Sequence, residues 1–237
     1  LRRLGVIPRK IKLAICWNSR ESRATRYNKN MPVTMRRVRT ISREVVIDPS
    51  ETTRRSPFKS KSEIKAYLQG ALHDAYRREN RIRFSQKGTE WLTVLKDLLH
   101  HLGHRSWMYR EGNRDVYDLE TTATFLDFRF DPRTLKTSEE KVAYIRGFFD
   151  AEGGIPHSRD STFYIQLVQK DRGKMQVLKD ILQSLGIKTG VLHNPSHRVD
   201  PNYWRCFVST ASHSDFARIV GSWHPMKRAR FEERMMI

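Results

Sequence analysis

Acidic residues are scarce in this sequence. Its 237 residues hold 26 Asp and Glu against 45 Lys and Arg, a formal net charge of +19. Such an imbalance points to a polyanionic partner. Cysteine is nearly absent. Cys16 and Cys206 cannot form a disulfide framework, and neither lies in a CxxC pair suited to zinc or redox chemistry. No apolar run approaches the roughly 18 residues that a membrane span requires, and no charged-then-apolar leader is seen. The reading is therefore of a soluble, intracellular protein without membrane association, in a prokaryotic cytoplasm or an organelle. With 38% hydrophobic residues the chain can still bury a core in one or two domains.

The positive charge is uneven. Residues 1–60 hold 16 Lys or Arg and 4 Asp or Glu, a net of +12, which leaves 29 and 22, a net of +7, for residues 61–237. Arg pairs and scattered Ser and Thr without sustained periodicity make residues 1–60 a basic, irregular arm.

The remainder repeats itself. Phe84-Ser85-Gln86-Lys87, Val94-Leu95-Lys96-Asp97-Leu98-Leu99 and Leu102-Gly103 recur 83 residues later as Leu167-Val168-Gln169-Lys170, Val177-Leu178-Lys179-Asp180-Ile181-Leu182 and Leu185-Gly186. Upstream, Tyr67-Leu68-Gln69-Gly70 matches Tyr144-Ile145-Arg146-Gly147 at an offset of 77, so the second copy has gained six residues between its first helix and the next strand. Two repeats result, residues 61–138 and 139–237.

Composition predicts helices over 64–76 and 141–152, the second stopped by Gly153-Gly154-Ile155-Pro156. Period-two alternation predicts strands over 81–85 and 163–168. Apolar residues at helical spacing mark a further helix in each copy, stopped by Gly103 or Gly186. Hairpins are expected over 105–110 with 115–121, and over 187–193 with 203–210, each followed by a short helix.

Tyr144-Ile145-Arg146-Gly147-Phe148-Phe149-Asp150-Ala151-Glu152-Gly153-Gly154 resembles the LAGLIDADG motif of homing endonucleases, with Gly147 at its third position and Glu152 at its acidic eighth. The resemblance covers about residues 62–231. It implies an α+β fold of tandem pseudo-symmetric αββαββα repeats, with two saddle-shaped antiparallel sheets. Two motif helices would pack through Gly70 and Gly147, and each would deliver a carboxylate to a centre that holds Mg²⁺. The family's polar positions around the metals fall on Gln86, Lys87, Gln169 and Lys170, its other basic position on Lys227, and more weakly on Lys136.

The first copy departs from the motif. Counted from Gly70, the acidic position is Ala75, and Asp74 lies one place early. One residue rotates a helical side chain by about 100°. Asp74 reaches the metals only if the helix end is unwound or the copy is locally distorted; otherwise the protein is a nickase, a slow enzyme or a retired nuclease kept for binding. Asp150 points away from the acidic position and reads as a helix-end cap or structural hydrogen bonder, not a metal ligand. His100, His101 and His104 lack a further zinc ligand and read as a helix-end cluster.

If Ile82 and Phe84 are buried, Arg81, Arg83 and Ser85 face outward, and Tyr164 and Gln166 do so in the second copy. Arg105, Tyr109, Arg110 and Arg114, with Lys188, His193, Asn194, Arg198 and Arg205, extend this nucleic-acid face along the hairpins. The resemblance implies a monomeric, intron- or intein-associated enzyme making a Mg²⁺-dependent staggered cut at a long double-stranded DNA site. The alternative is a catalytically weakened relative that binds structured RNA, as a maturase or ribonucleoprotein component. A transcriptional regulator on the same repeat would need an added helix-turn-helix, and residues 1–60 show no such helices.

Overall fold

The computed structural model describes residues 60–235. The basic arm expected over 1–60 lies outside them, apart from Ser60. Helix α1, Lys61–Ala71, starts on Ser60, whose side chain accepts from the Glu63 N–H. It ends in a 3₁₀ turn, Leu72–Asp74, and the chain turns directly into strand β1, Ala75–Arg78. A tight turn with Glu79 at φ 53° leads to β2, Arg81–Gln86. Helix α2, Glu90–His101, and the hairpin β3, Ser106–Arg110, with β4, Tyr117–Thr121, complete a four-stranded antiparallel sheet of order β1-β2-β4-β3.

The second half opens with α3, Ser138–Glu152, closed at its start by a capping box of Thr137 and Glu140. Strand β5, Gly153–Gly154, follows at once, then β6, Gln166–Gln169, helix α4, Arg172–Ser184, and β7, Trp204–Phe207. These strands form a three-stranded antiparallel sheet, β5-β6-β7. A turn of helix at His213–Asp215 runs into a π-helical turn, Phe216–Val220, and α5, Pro225–Met235, closes the described chain. Among the described residues no helix is long and apolar enough to cross a membrane.

The fold is α+β, with an αββαββ unit in the first half and an αββαβ unit in the second, and it differs from the sequence reading at several places, the first being that the strand expected over 163–168 runs over Gln166–Gln169. Residues 72–76 are not helical, because the 3₁₀ turn releases the chain into β1. The expected strand over 187–193 reduces to isolated bridges, Thr189 with Val208 and His193 with Arg205. Between β4 and α3 the only helical piece is the 3₁₀ turn Pro132–Thr134, so the first half has no final α-helix.

Helices α1 and α3 pack face to face at the centre. Tyr67, Leu68 and Ala71 of one and Tyr144, Ile145 and Phe148 of the other are buried. Gly70 lies directly against the Tyr144 carbonyl and Gly147 against the Tyr67 carbonyl. No residue with a β-carbon fits at either point, so two glycines 77 positions apart set the helix spacing.

Candidate nuclease centre at the ends of two helices

Both candidate carboxylates are the last helical residue before a strand. Ala75 pairs with Phe84, and Gly153 pairs with Leu167. Phe84 and Leu167 are equivalent at the offset of 83, so the strand registers make Asp74 the counterpart of Glu152. The geometry explains how one residue is lost without moving the acid. Beyond the equivalent Ala71 and Phe148, three 3₁₀ residues turn about 360° and rise about 6 Å, whereas four α-helical residues turn about 400° and rise about 6 Å. The two ends arrive at nearly the same height and direction.

Asp74 accepts a hydrogen bond from the Gln86 amide. Glu152 is half-buried and makes no hydrogen bond or ion pair with a described residue. Burial raises its pKa, opposed by the charges of Lys227 and Lys170. Lys227 reaches in from α5 and donates to the Phe149 and Asp150 carbonyls, at 2.6 and 2.8 Å. Both carbonyls lie in the last turn of α3, where that of Phe149 also accepts from the Gly153 N–H. Burial lowers the Lys227 pKa to about 8, against the charges of Asp150, Asp74 and Glu152, all of which it feels. Lys87 and Lys170 are exposed beside the centre.

Lys136 is not a counterpart of Lys227. It precedes the first turn of α3, one helix length, or about 22 Å, from Glu152.

Behind the acids lies a cross-helix arrangement with the pseudo-symmetry of the repeat. Tyr67 donates to Asp150 at 2.6 Å, and the Tyr144 hydroxyl meets His73 Nε2 at 2.9 Å. Asp150 is fully buried and also accepts from Ser222 and, at 2.9 Å, from the Trp223 N–H. It is a structural group that ties α3 to the C-terminal segment. The opposite ring nitrogen of His73, Nδ1, meets the Gln169 amide at 3.0 Å. Burial, then the nearby Lys174 charge, hold the His73 pKa at about 4, so the ring is neutral at ordinary pH. Neither tyrosine nor His73 was singled out from sequence, although Tyr67 and Tyr144 share the offset of 77.

The outward faces of the sheets correct part of the expected nucleic-acid surface. Arg83 is on the outer face but buried. It forms ion pairs with Asp118, at 3.0 Å, and with Glu120, while Arg81 pairs with Glu120 at 2.9 Å. Strand pairing forces this arrangement, because Arg83 faces Glu120 and Ser85 faces Asp118 across β2 and β4. Ser85 accordingly donates to Asp118 at 2.6 Å. Arg83 is therefore a scaffold residue, and Ser85 is committed within the sheet.

Trp107 and Tyr109 share this face and are both 40% exposed, with the Arg81 and Arg105 guanidiniums over Trp107. Arg110 and Arg114 are exposed at the hairpin tip, where Arg110 donates to the Arg114 carbonyl and Arg114 pairs with Glu111. In the second half Tyr164, Gln166, His193 and Arg205 converge. Tyr164 and His193 pack on Phe207, a hub that sequence reasoning missed, and Arg205 lies over the same ring. Lys188 and Arg198 are exposed, whereas Asn194 is consumed inside its own loop by Asp200 and Ser196.

Among the described residues no three His, Cys, Asp or Glu side chains converge as a self-sufficient metal site. A pair of hard carboxylates at helix ends remains, one of them without a partner, next to exposed lysines. That donor set fits a hard divalent cation, which the two carboxylates would hold in part.

Residues 139–221 match the family model of a LAGLIDADG-like domain. I-DmoI in complex with DNA and Mn superposes with a TM-score of 0.53 at 18% identity, over 68% of this chain and 98% of that one. The N-terminal LAGLIDADG domain of DUF199/WhiA gives 0.55 at 16% identity, over 70% and 84%. Full-length DUF199/WhiA from Thermatoga maritima gives 0.56 at 15%, over 77% of this chain and 63% of that one. No curated protein matches the sequence. A LAGLIDADG-like domain is thus shown for the second half of the chain. Its second repeat belongs to the LAGLIDADG-like domain family, and the whole described chain has that family's fold.

Proposed function

We propose that this protein is a site-specific DNA endonuclease that uses a divalent cation to make a staggered double-strand cut at a long duplex site. The observation that carries the proposal is the convergence of Asp74 and Glu152 at two helix ends beside Lys227. The solved structures of I-DmoI include complexes with DNA and with Mn or Ca, and a variant complex in the presence of Mg. Those facts belong to that protein, and they favour the same class of partner and cofactor here.

Asp74 and Glu152 would hold the cation, with Mg²⁺ the expected ion. A bound cation polarises a phosphodiester and lowers the pKa of attached water. The chain's own residues do the rest. The half-buried setting of Glu152 would limit the bulk water that competes with it for the cation. The Lys227 ammonium, fixed by two carbonyls, places a positive charge where the scissile phosphate becomes more negative. Lys87 and Lys170 are exposed and draw in the flanking phosphates, while the sheet faces hold the duplex on either side. Two unlike repeats in one chain suit an asymmetric site and a monomeric enzyme, and an origin within an intron or intein is part of the same reading.

Selection of cleaved duplexes from a random library with Mg²⁺ is the direct test. Glu152→Gln should abolish cutting and retain binding of the selected site. Cleavage by this variant would overturn the mechanism. Tight binding to structured RNA without cleavage of any duplex would replace the endonuclease with the RNA-binding alternative.

A further inference from the structure

The two halves of the proposed centre are not served alike. Gln86 and Gln169 occupy the same strand-end position, 83 residues apart, as Asp74 and Glu152 occupy the same helix-end position. The Gln86 amide donates to the acid of its own repeat, Asp74. By the same geometry Gln169 belongs to Glu152. Instead its Nε2 meets His73 Nδ1 at 3.0 Å, across the boundary between repeats, and its Oε1 accepts from the Lys170 N–H at 2.7 Å.

His73 is well placed to hold it. The ring packs edge-on against Phe148, with centroids 4.8 Å apart, and is anchored through Nε2 by the Tyr144 hydroxyl. The position equivalent to His73 in the other repeat is Asp150, which spends its oxygens on Tyr67, Ser222 and Trp223 and takes no glutamine.

We propose that His73 is a positioning residue that withholds the Gln169 amide from Glu152, so that the two strands of the duplex are cut at different rates. The inference rests on the endonuclease reading above and adds a source of inequivalence inside that centre. An amide hydrogen bond to a carboxylate both orients it and offsets its charge. Asp74 keeps this bond and Glu152 does without it. One hydrogen bond to a charged group corresponds to about tenfold in rate. A nicked intermediate should therefore accumulate.

Two substitutions separate the roles of the ring nitrogens. His73→Asn places an amide near the former Nδ1 and keeps the bond to Gln169, whereas His73→Gln reaches the former Nε2 and keeps the bond to Tyr144. On a supercoiled plasmid carrying one site, the ratio of first-strand to second-strand rates should be about tenfold in the unaltered protein and in His73→Asn. It should fall towards one in His73→Gln. A structural role alone would make the two variants alike, and that outcome would overturn the proposal, as would equal strand rates in the unaltered protein. If His73→Gln does not fold, Gln86→Ala gives the second measurement. Stripping Asp74 of its amide should also bring the ratio towards one, and an unchanged ratio would count against the inference.

A readout without cutting keeps this proposal distinct from the endonuclease reading. In the metal-free protein the Gln169 side-chain amide resonances should shift in His73→Gln and not in His73→Asn. If no duplex is cut at all, the endonuclease reading fails while the His73 to Gln169 link is still judged by these spectra.

Discussion

Gly70 and Gly147 mark one crossing from its two sides: a β-carbon on the first would run into the Tyr144 carbonyl oxygen, and one on the second into that of Tyr67. Neither obstacle is a movable side-chain end. Gly70→Ala and Gly147→Ala should each push the helices apart and cost about 3 kcal/mol, the upper part of the usual overpacking range. Gly190→Ala, whose β-carbon would meet only ordinary contact, is the control. Urea denaturation of the three variants checks the difference, and near-neutral central variants would refute the crossing.

Asp74 is predicted to work from its own position and not from the place that counting along the helix assigns. Asp74→Ala combined with Ala75→Asp restores an acid at the counted position. It should not restore cutting, because residue 75 pairs with Phe84 and packs towards the core. Cleavage assays of Asp74→Asn and of the double variant should both show loss of at least about 100-fold, typical for removal of a group that stabilises transition-state charge. Recovery by the double variant would show that the strand register misassigns the acid.

Arg81 and Arg83 are two residues apart on one face and should respond in opposite ways. Arg83 is buried between Asp118 and Glu120, so Arg83→Ala leaves Asp118 buried without its ion pair and Glu120 with Arg81 alone, and should destabilise by about 3–5 kcal/mol. Arg81 has a side chain 56% exposed, and Arg81→Ala should change stability little. It should instead lower duplex affinity and reduce the salt dependence by about one phosphate contact. Thermal melts and binding titrations over a range of salt separate the two outcomes.

Glu120 predicts an acid transition. Burial alone would raise its pKa, but hydrogen bonds from Arg81, Arg83 and Tyr109 and the Arg83 charge hold it at about 2, below the ordinary 4.5. Its folded-state value is depressed, so its stabilisation is present above pH 4.5 and is lost as pH falls towards 2. A shift of this size corresponds to about 3 kcal/mol. Glu120→Gln should be less stable at neutral pH and should flatten the pH dependence between 4.5 and 2. A parallel pH profile for the two proteins would count against the ion-pair cluster.

The parts of the molecule that repeat were readable in the sequence. The pairs Gly70 with Gly147 and Gln86 with Gln169 follow from offsets alone, and Glu152 follows from the motif. The parts that were not readable depend on partners distant in the chain. Alternation correctly put Arg83 on the outer face, but only the pairing of β2 with β4 shows that two acids on β4 enclose it. The fate of Gln169 is invisible for the same reason, since His73 looks like an ordinary helix-end residue until the repeats are brought together. The short β1 was hidden because Ala-Tyr-Arg-Arg continues a helical composition. A 3₁₀ turn, set by how the next strand docks, ends the helix early.

The bond from Tyr67 to Asp150 spans 83 positions, and the Lys227 contacts with α3 come later still. During synthesis at roughly 5–20 residues per second, α1 waits about 4–17 s for the helix that covers its glycine face. The carboxylate-bearing end of α3 waits further, for α5, the last described element. The candidate centre is thus completed only after α5 has been made. A chain cut short before residue 225 carries both acids but lacks Lys227 and the end of the second repeat.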